Sequence, residues 1–97
     1  MSTLMRKKIA DYFETQPVLK VWIFGSYARG EETPASDIDI IVSLDHSQPI
    51  GLKFFKMWGE LEKMLNCKVD LVEEGGLSPF AVESANKDKI LIYERTA

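Results

Sequence analysis

A run of apolar, strand-forming residues, Val18 to Phe24, stops at Gly25-Ser26, and after a polar stretch the chain resumes with Asp37-Ile38-Asp39-Ile40-Ile41-Val42. This stretch limits the fold more than any other. Two short segments rich in Val, Ile and aromatic residues, with turn signals between them, read as neighbouring strands. Glu31 to Ser36 contains Pro34 and small polar residues and forms a loop that brings the chain back. The second strand, Asp37 to Leu44, is therefore expected antiparallel to the first, which sets Gly25-Ser26 near Asp39.

That juxtaposition has chemical content. A short helix opening at Ser26 would aim its first backbone amides and its positive dipole end at one point, an arrangement that suits an anionic oxygen, and the Ser26 hydroxyl adds a donor. Asp37 and Asp39 lie one residue apart on a strand, so their carboxylates share a face. Two such groups repel unless a cation sits between them. Hard oxygen ligands of this kind suit Mg²⁺, which takes one or two carboxylates and fills its other positions with water and substrate phosphate. A phosphate grip beside a metal clamp implies a nucleoside triphosphate. A Gly-Ser pair alone makes ordinary tight turns, so the carboxylates give the motif its weight. Gly25 and Gly30 also match half of a Walker loop, but Glu31 and Glu32 stand where Lys and Ser/Thr are required, and that reading fails.

The chain of 97 residues, 45% apolar, suits one domain over residues 1–97 with one modest core. Its net charge of −3, with Lys and Arg scattered, argues against the broad basic surface that holds a nucleic-acid backbone. Cys67 is the only cysteine, which excludes an internal disulfide or a cysteine-based zinc site and fits a reducing cytoplasm. No targeting segment is evident, and no run approaches the roughly 18 apolar residues of a membrane span.

Taken in order, Ser2 or Thr3 can cap a first helix in which Met5, Ile9, Tyr12 and Phe13 share a face. In the strand Val18 to Phe24, Val21 and Ile23 point one way and Lys20, Trp22 and Phe24 the other, so both faces are expected to be partly covered. Tyr27 to Gly30 is a short helix or turn. A helix from about Ile50 to Asn66 carries a core-facing stripe of Phe54, Trp58, Leu61 and Leu65. Lys68 to Val72 is a third strand, with Asp70 facing away from Val69 and Leu71. Glu73 to Leu77 is a turn, Ser78-Pro79 opens a last helix to about Asn86, and Ile90 to Tyr93 is a final strand. His46 reads as a solvated loop residue, Cys67 as a small buried one, and Trp22 and Trp58 as core.

Gly25-Ser26, ten residues, then Asp37-Ile38-Asp39, with a later strand aspartate at Asp70, is similar to the signature of the DNA polymerase beta-like nucleotidyltransferase superfamily. More narrowly, Gly25-Ser26-Tyr27-Ala28-Arg29-Gly30 and Ser36-Asp37-Ile38-Asp39 in so short a chain resemble the minimal nucleotidyltransferases, antitoxins paired with HEPN-domain toxins. The resemblance implies an α/β (α+β) fold, with a mixed β-sheet of three or four strands flanked by about four helices. It implies that Gly25 and Ser26 hold the triphosphate of ATP and that Asp37 and Asp39 ligate two Mg²⁺ ions, with Mn²⁺ able to substitute. Asp70 would be the third metal-binding, catalytic carboxylate. Arg29 is placed either to neutralise triphosphate charge or to form a helix-terminal salt bridge, and Lys20 and Lys53 are weaker candidates for the first role.

The chain has no room for the second domain with which larger relatives hold their acceptors. The resemblance implies that a partner toxin supplies the acceptor, receiving AMP on a tyrosine hydroxyl, and that the two proteins form an oligomer. Two alternatives stay open: a non-catalytic antitoxin that occludes its toxin, and a nucleotidyltransferase acting on a small molecule.

Overall fold

The computed structural model describes residues 1–76 and 78–96, without the side chains of residues 81, 84 and 85. The order is α1 (Thr3–Phe13), β1 (Val18–Phe24), α2 (Ser26–Arg29), β2 (Ile38–Leu44), α3 (Lys53–Leu65), β3 (Val69–Glu73), a 3₁₀ turn (Glu74–Gly76), α4 (Pro79–Asp88) and β4 (Ile90–Glu94). This is the expected alternation of helix and strand. The strands form one mixed sheet in the order β3-β2-β1-β4. β1 is antiparallel to both β2 and β4, whereas β2 and β3 are parallel, with α3 as the crossover that a parallel pair requires.

The helices are built by local signals. The Ser2 hydroxyl caps α1 by accepting from the Met5 amide at 3.1 Å. Ile9 and Phe13 of α1, with Met57 and Leu61 of α3, bury against Val21 and Ile23 of β1, Ile38, Ile40 and Val42 of β2, and Val69 and Leu71 of β3. The opposite face of the sheet carries a second, smaller cluster, in which Trp22 and Ile41 are buried and Phe24 and Val72 pack beside them. Lys89 stands with its ammonium 4.7 Å from the centre of the Trp22 ring. Both faces of β1 are thus covered, as its apolar run predicts.

Several boundaries differ from the sequence reading by one to three residues. α3 begins at Lys53 instead of Ile50, because Gly51 adopts a φ of 48° and the Lys53 amide closes a turn onto the Ile50 carbonyl at 2.9 Å. The helix ends where Asn66 takes the left-handed conformation, φ 51°. The buried centre of its stripe is Met57 with Leu61, while Phe54, Trp58 and Leu65 pack at the margin. Finally, β2 starts at Ile38, so Asp37 belongs to the end of the loop, and β3 runs from Val69 to Glu73. Leu77, expected in the turn that follows, lies outside the described residues.

The far end of the sheet is tied down by Asp45. It accepts from the Ser47 hydroxyl at 2.5 Å, from Gln48 at 3.1 Å and from the Arg95 guanidinium at 2.6 Å, while the Arg95 amide donates to the Leu19 carbonyl at 2.9 Å. Among the described residues no helix is long and apolar enough to cross a membrane.

Candidate active site

The site is assembled where β1 ends and β2 begins. Gly25 follows the last residue of β1 with φ 73° and ψ −151°, a combination that only glycine adopts at low cost, and α2 opens at Ser26. Gly25 is also needed for space: a Cβ built there would overlap the Asp39 carboxylate and stand 3.3 Å from its Cγ. The cause is the antiparallel register, which sets Phe24 opposite Asp39 and brings the next backbone unit over the carboxylate. The Ser26 and Tyr27 amides occupy the first positions of α2, where a helix has no preceding carbonyl to accept from them. Behind them Gly30, φ 71°, ends the helix, and the Glu31 amide donates to the Ser26 carbonyl at 2.9 Å.

Asp39 and Asp70 are partners in the parallel register of β2 and β3, so both side chains rise from the face opposite the main core. Asp37 precedes Asp39 by two residues, just outside the strand. The Asp39 carboxyl is pushed above the usual carboxylate range, first by burial, then by the charges of Asp70 and Asp37, with Arg29 pulling the other way. Asp37 and Asp70 are exposed. Among the described residues no group of three or more His, Cys, Asp or Glu side chains is gathered closely enough to hold a metal ion by itself. The open pair Asp39 and Asp70 is nonetheless a donor set that suits Mg²⁺, which takes one or two carboxylates and leaves several positions to water and phosphate. The mutual repulsion at Asp39 is what a bound cation would relieve.

Arg29 is held by two carboxylates: its Nε donates to Glu31 at 2.6 Å and its Nη1 to Asp88 at 2.8 Å. Its role as the basic end of a helix-terminal salt-bridge pair is therefore seen directly, and its field also reaches Asp39. Glu31 was within view of sequence reasoning, two residues from Arg29. Asp88, the last residue of α4, gave no such signal, because only the fold brings it across 59 positions. Lys20 is engaged elsewhere, 3.4 Å from Glu94, and Lys53 begins α3. His46 is exposed in its loop and meets Glu73 at 2.7 Å. Cys67 is half-buried rather than fully so, and burial, followed by the charges of Glu62 and Asp37, raises its thiol pKa.

The matches to known proteins agree with this geometry. Residues 6–92 match the family model described as a nucleotidyltransferase domain. A Methanocaldococcus jannaschii protein provisionally named a protein adenylyltransferase is 43% identical over 74 residues, covering 76% of this chain and 85% of that protein. The protein adenylyltransferase MntA of Thermococcus cleftensis is 31% identical over 90 residues, covering 93% of this chain and 87% of that one. The fold also aligns, with a TM-score of 0.72 and 21% identity, to a chain in the structure of a tri-AMPylated Shewanella oneidensis HEPN toxin in complex with MNT antitoxin, covering 98% of this chain and 74% of the other.

Proposed function

The chain belongs to the nucleotidyltransferase domain family, and from that premise we propose that it is an antitoxin that transfers AMP from ATP to a tyrosine hydroxyl of a cognate HEPN ribonuclease toxin in the cytoplasm. One observation carries the proposal: Asp39 lies against the Gly25 turn while standing in register with Asp70. The amides that suit phosphate and the carboxylates that suit a cation therefore meet at one place. The protein adenylyltransferase name of the Thermococcus cleftensis relative, and the AMPylated toxin held by the Shewanella oneidensis antitoxin, support the choice of acceptor.

In this reading residues 1–97 act as one domain, and each site residue has a task. The Ser26 hydroxyl and the Ser26 and Tyr27 amides hold oxygens of the triphosphate. Gly25, lacking a side chain, lets the phosphates and the Asp39 carboxylate lie side by side. Asp37, Asp39 and Asp70 would hold two Mg²⁺ ions, or Mn²⁺ in their place, which when bound supply charge neutralisation for the triphosphate and a lowered pKa for the acceptor hydroxyl. Asp70, exposed on an edge strand, would orient the acceptor O–H. Arg29, paired with Glu31 and Asp88, contributes to the site through its field at Asp39. The acceptor oxygen bonds to the α-phosphorus, the bond to the bridging oxygen of pyrophosphate breaks, and the hydroxyl proton is released.

The test is to incubate the protein with Mg²⁺, labelled ATP and the product of the adjacent reading frame, and to read the partner's mass. A gain of AMP on tyrosine is expected. Neutralisation of the partner with no gain of mass would overturn the enzymatic reading.

A further inference from the structure

Asp70 sits on β3, an edge strand of the sheet, where one side of the backbone has no neighbouring strand among the described residues. A carboxylate that must be held in place is thus carried by one of the two edge strands. In a parallel ladder, alternate residues turn their N–H and C=O toward the partner strand. The Lys68 carbonyl accepts from the Ile38 amide of β2 at 3.0 Å, so the polar groups of the next residue, Val69, face outward. Both are taken up by α3. The Trp58 indole N–H donates to the Val69 carbonyl at 2.6 Å, and the Val69 amide donates to the Glu62 carboxylate at 3.1 Å. Trp58 and Glu62 are one helical turn apart and so share a face, and Phe54 packs edge-on against the Trp58 ring at 6.1 Å, fixing its orientation.

We infer that Trp58 and Glu62 are positioning residues for the site, acting as a two-point clamp on Val69 that holds the adjacent Asp70 in register with Asp39. The inference rests on the reading of Asp70 as a metal-binding carboxylate. It assigns α3 a second task besides covering the core: the helix replaces the missing strand at the one residue where the edge of the sheet bears on the chemistry. Neither residue touches the reacting groups. Their effect passes through the backbone of Val69 to the carboxylate of the residue after it.

The experiment measures equilibrium binding of Mn²⁺ to the full chain by electron paramagnetic resonance, with a non-hydrolysable ATP analogue present, and amide hydrogen exchange at residues 69–71. Trp58→Phe keeps the ring against Phe54 and removes only the donor, Glu62→Leu removes the acceptor, and Glu62→Gln keeps an acceptor oxygen. Trp58→Phe and Glu62→Leu should each weaken Mn²⁺ binding about tenfold, as losses of groups that orient a metal ligand do, and should speed exchange at 69–71. Glu62→Gln should stay near the parent in both. Asp70→Asn is the reference. If it weakens Mn²⁺ binding while folded Trp58→Phe and Glu62→Leu bind as the parent does, the clamp is overturned and the site reading stands. If Asp70→Asn itself leaves binding unchanged, the reading of Asp70 falls and the clamp with it. Should Glu62→Leu fail to fold, Trp58→Phe decides.

Discussion

Replacing Gly25 by alanine tests the backbone turn and the carboxylate clamp with a single methyl group. At φ 73° and ψ −151° the residue lies in a region that costs a non-glycine residue about 1–3 kcal/mol. The new Cβ would also overlap the Asp39 carboxylate, and restoring ordinary contact requires a displacement on the order of 1 Å. Misplacing a reacting group by that much costs on the order of 100-fold in rate. The stability loss, at roughly 4–8 °C per kcal/mol for a domain of this size, lowers the melting temperature by about 4–24 °C. Thermal unfolding by circular dichroism, with AMP transfer measured well below the lowered midpoint, separates the two effects. Adding Asp39→Ala to Gly25→Ala should recover part of the lost stability and none of the activity, because it removes the overlap but not the backbone strain. A Gly25→Ala protein that melts within this range yet transfers AMP at the parental rate would refute the placement of Asp39 against the turn.

Two further outcomes follow from electrostatics and from packing. Because burial and two like charges raise the Asp39 pKa, the folded chain binds that proton more tightly than the unfolded chain. The metal-free protein should therefore gain stability from this group as pH falls through the folded-state value, and Asp39→Asn should melt higher than the parent at neutral pH and lose that gain. Asp45 works in the opposite sense: its hydrogen bonds from Ser47, then Arg95 and Gln48, hold its pKa well below the usual carboxylate range. Its contribution is complete above the unfolded value of about 3.9 and is lost as pH falls toward its folded value, in parent and variant alike; melting curves across acid pH for both proteins check the pair. In the core, Met57→Ala should cost about 2–5 kcal/mol in denaturant unfolding, whereas Leu52→Ser, at a side chain 80% exposed, should change little.

What could be read from the sequence was what depends on neighbours along the chain. The strand ending at Gly25-Ser26 and the Ser2 cap rest on local periodicity and turn chemistry, and each recurs in the structure, whereas the shared strand face of Asp37 and Asp39 does not, because β2 opens at Ile38 and leaves Asp37 in the loop. The antiparallel return of β2 was legible too, because a short polar loop leaves a strand few other paths. The long-range pairings were not legible. Arg29 looked free to meet phosphate, and only the fold shows Asp88 beside it. The stripe of α3 was drawn through its aromatic residues, which attract attention by size, although the helix turns Met57 to the centre. Trp58 was read as core for the same reason, and its indole N–H had no evident partner until β3 was placed alongside. Asp70 could be singled out as a polar residue between apolar ones, but that it faces Asp39 depends on a parallel pairing that no local signal specifies.

That pairing joins stability to chemistry in a way that bears on how the chain can fail. Val69 and Leu71 are almost wholly buried, and Asp70 between them is exposed. Because side chains alternate along a strand, a slip of β3 by one residue would turn the carboxylate into the apolar layer and both hydrophobic side chains out to water. The same error would empty the core and dismantle the site. In this strand, loss of the active register and loss of the fold therefore arrive together.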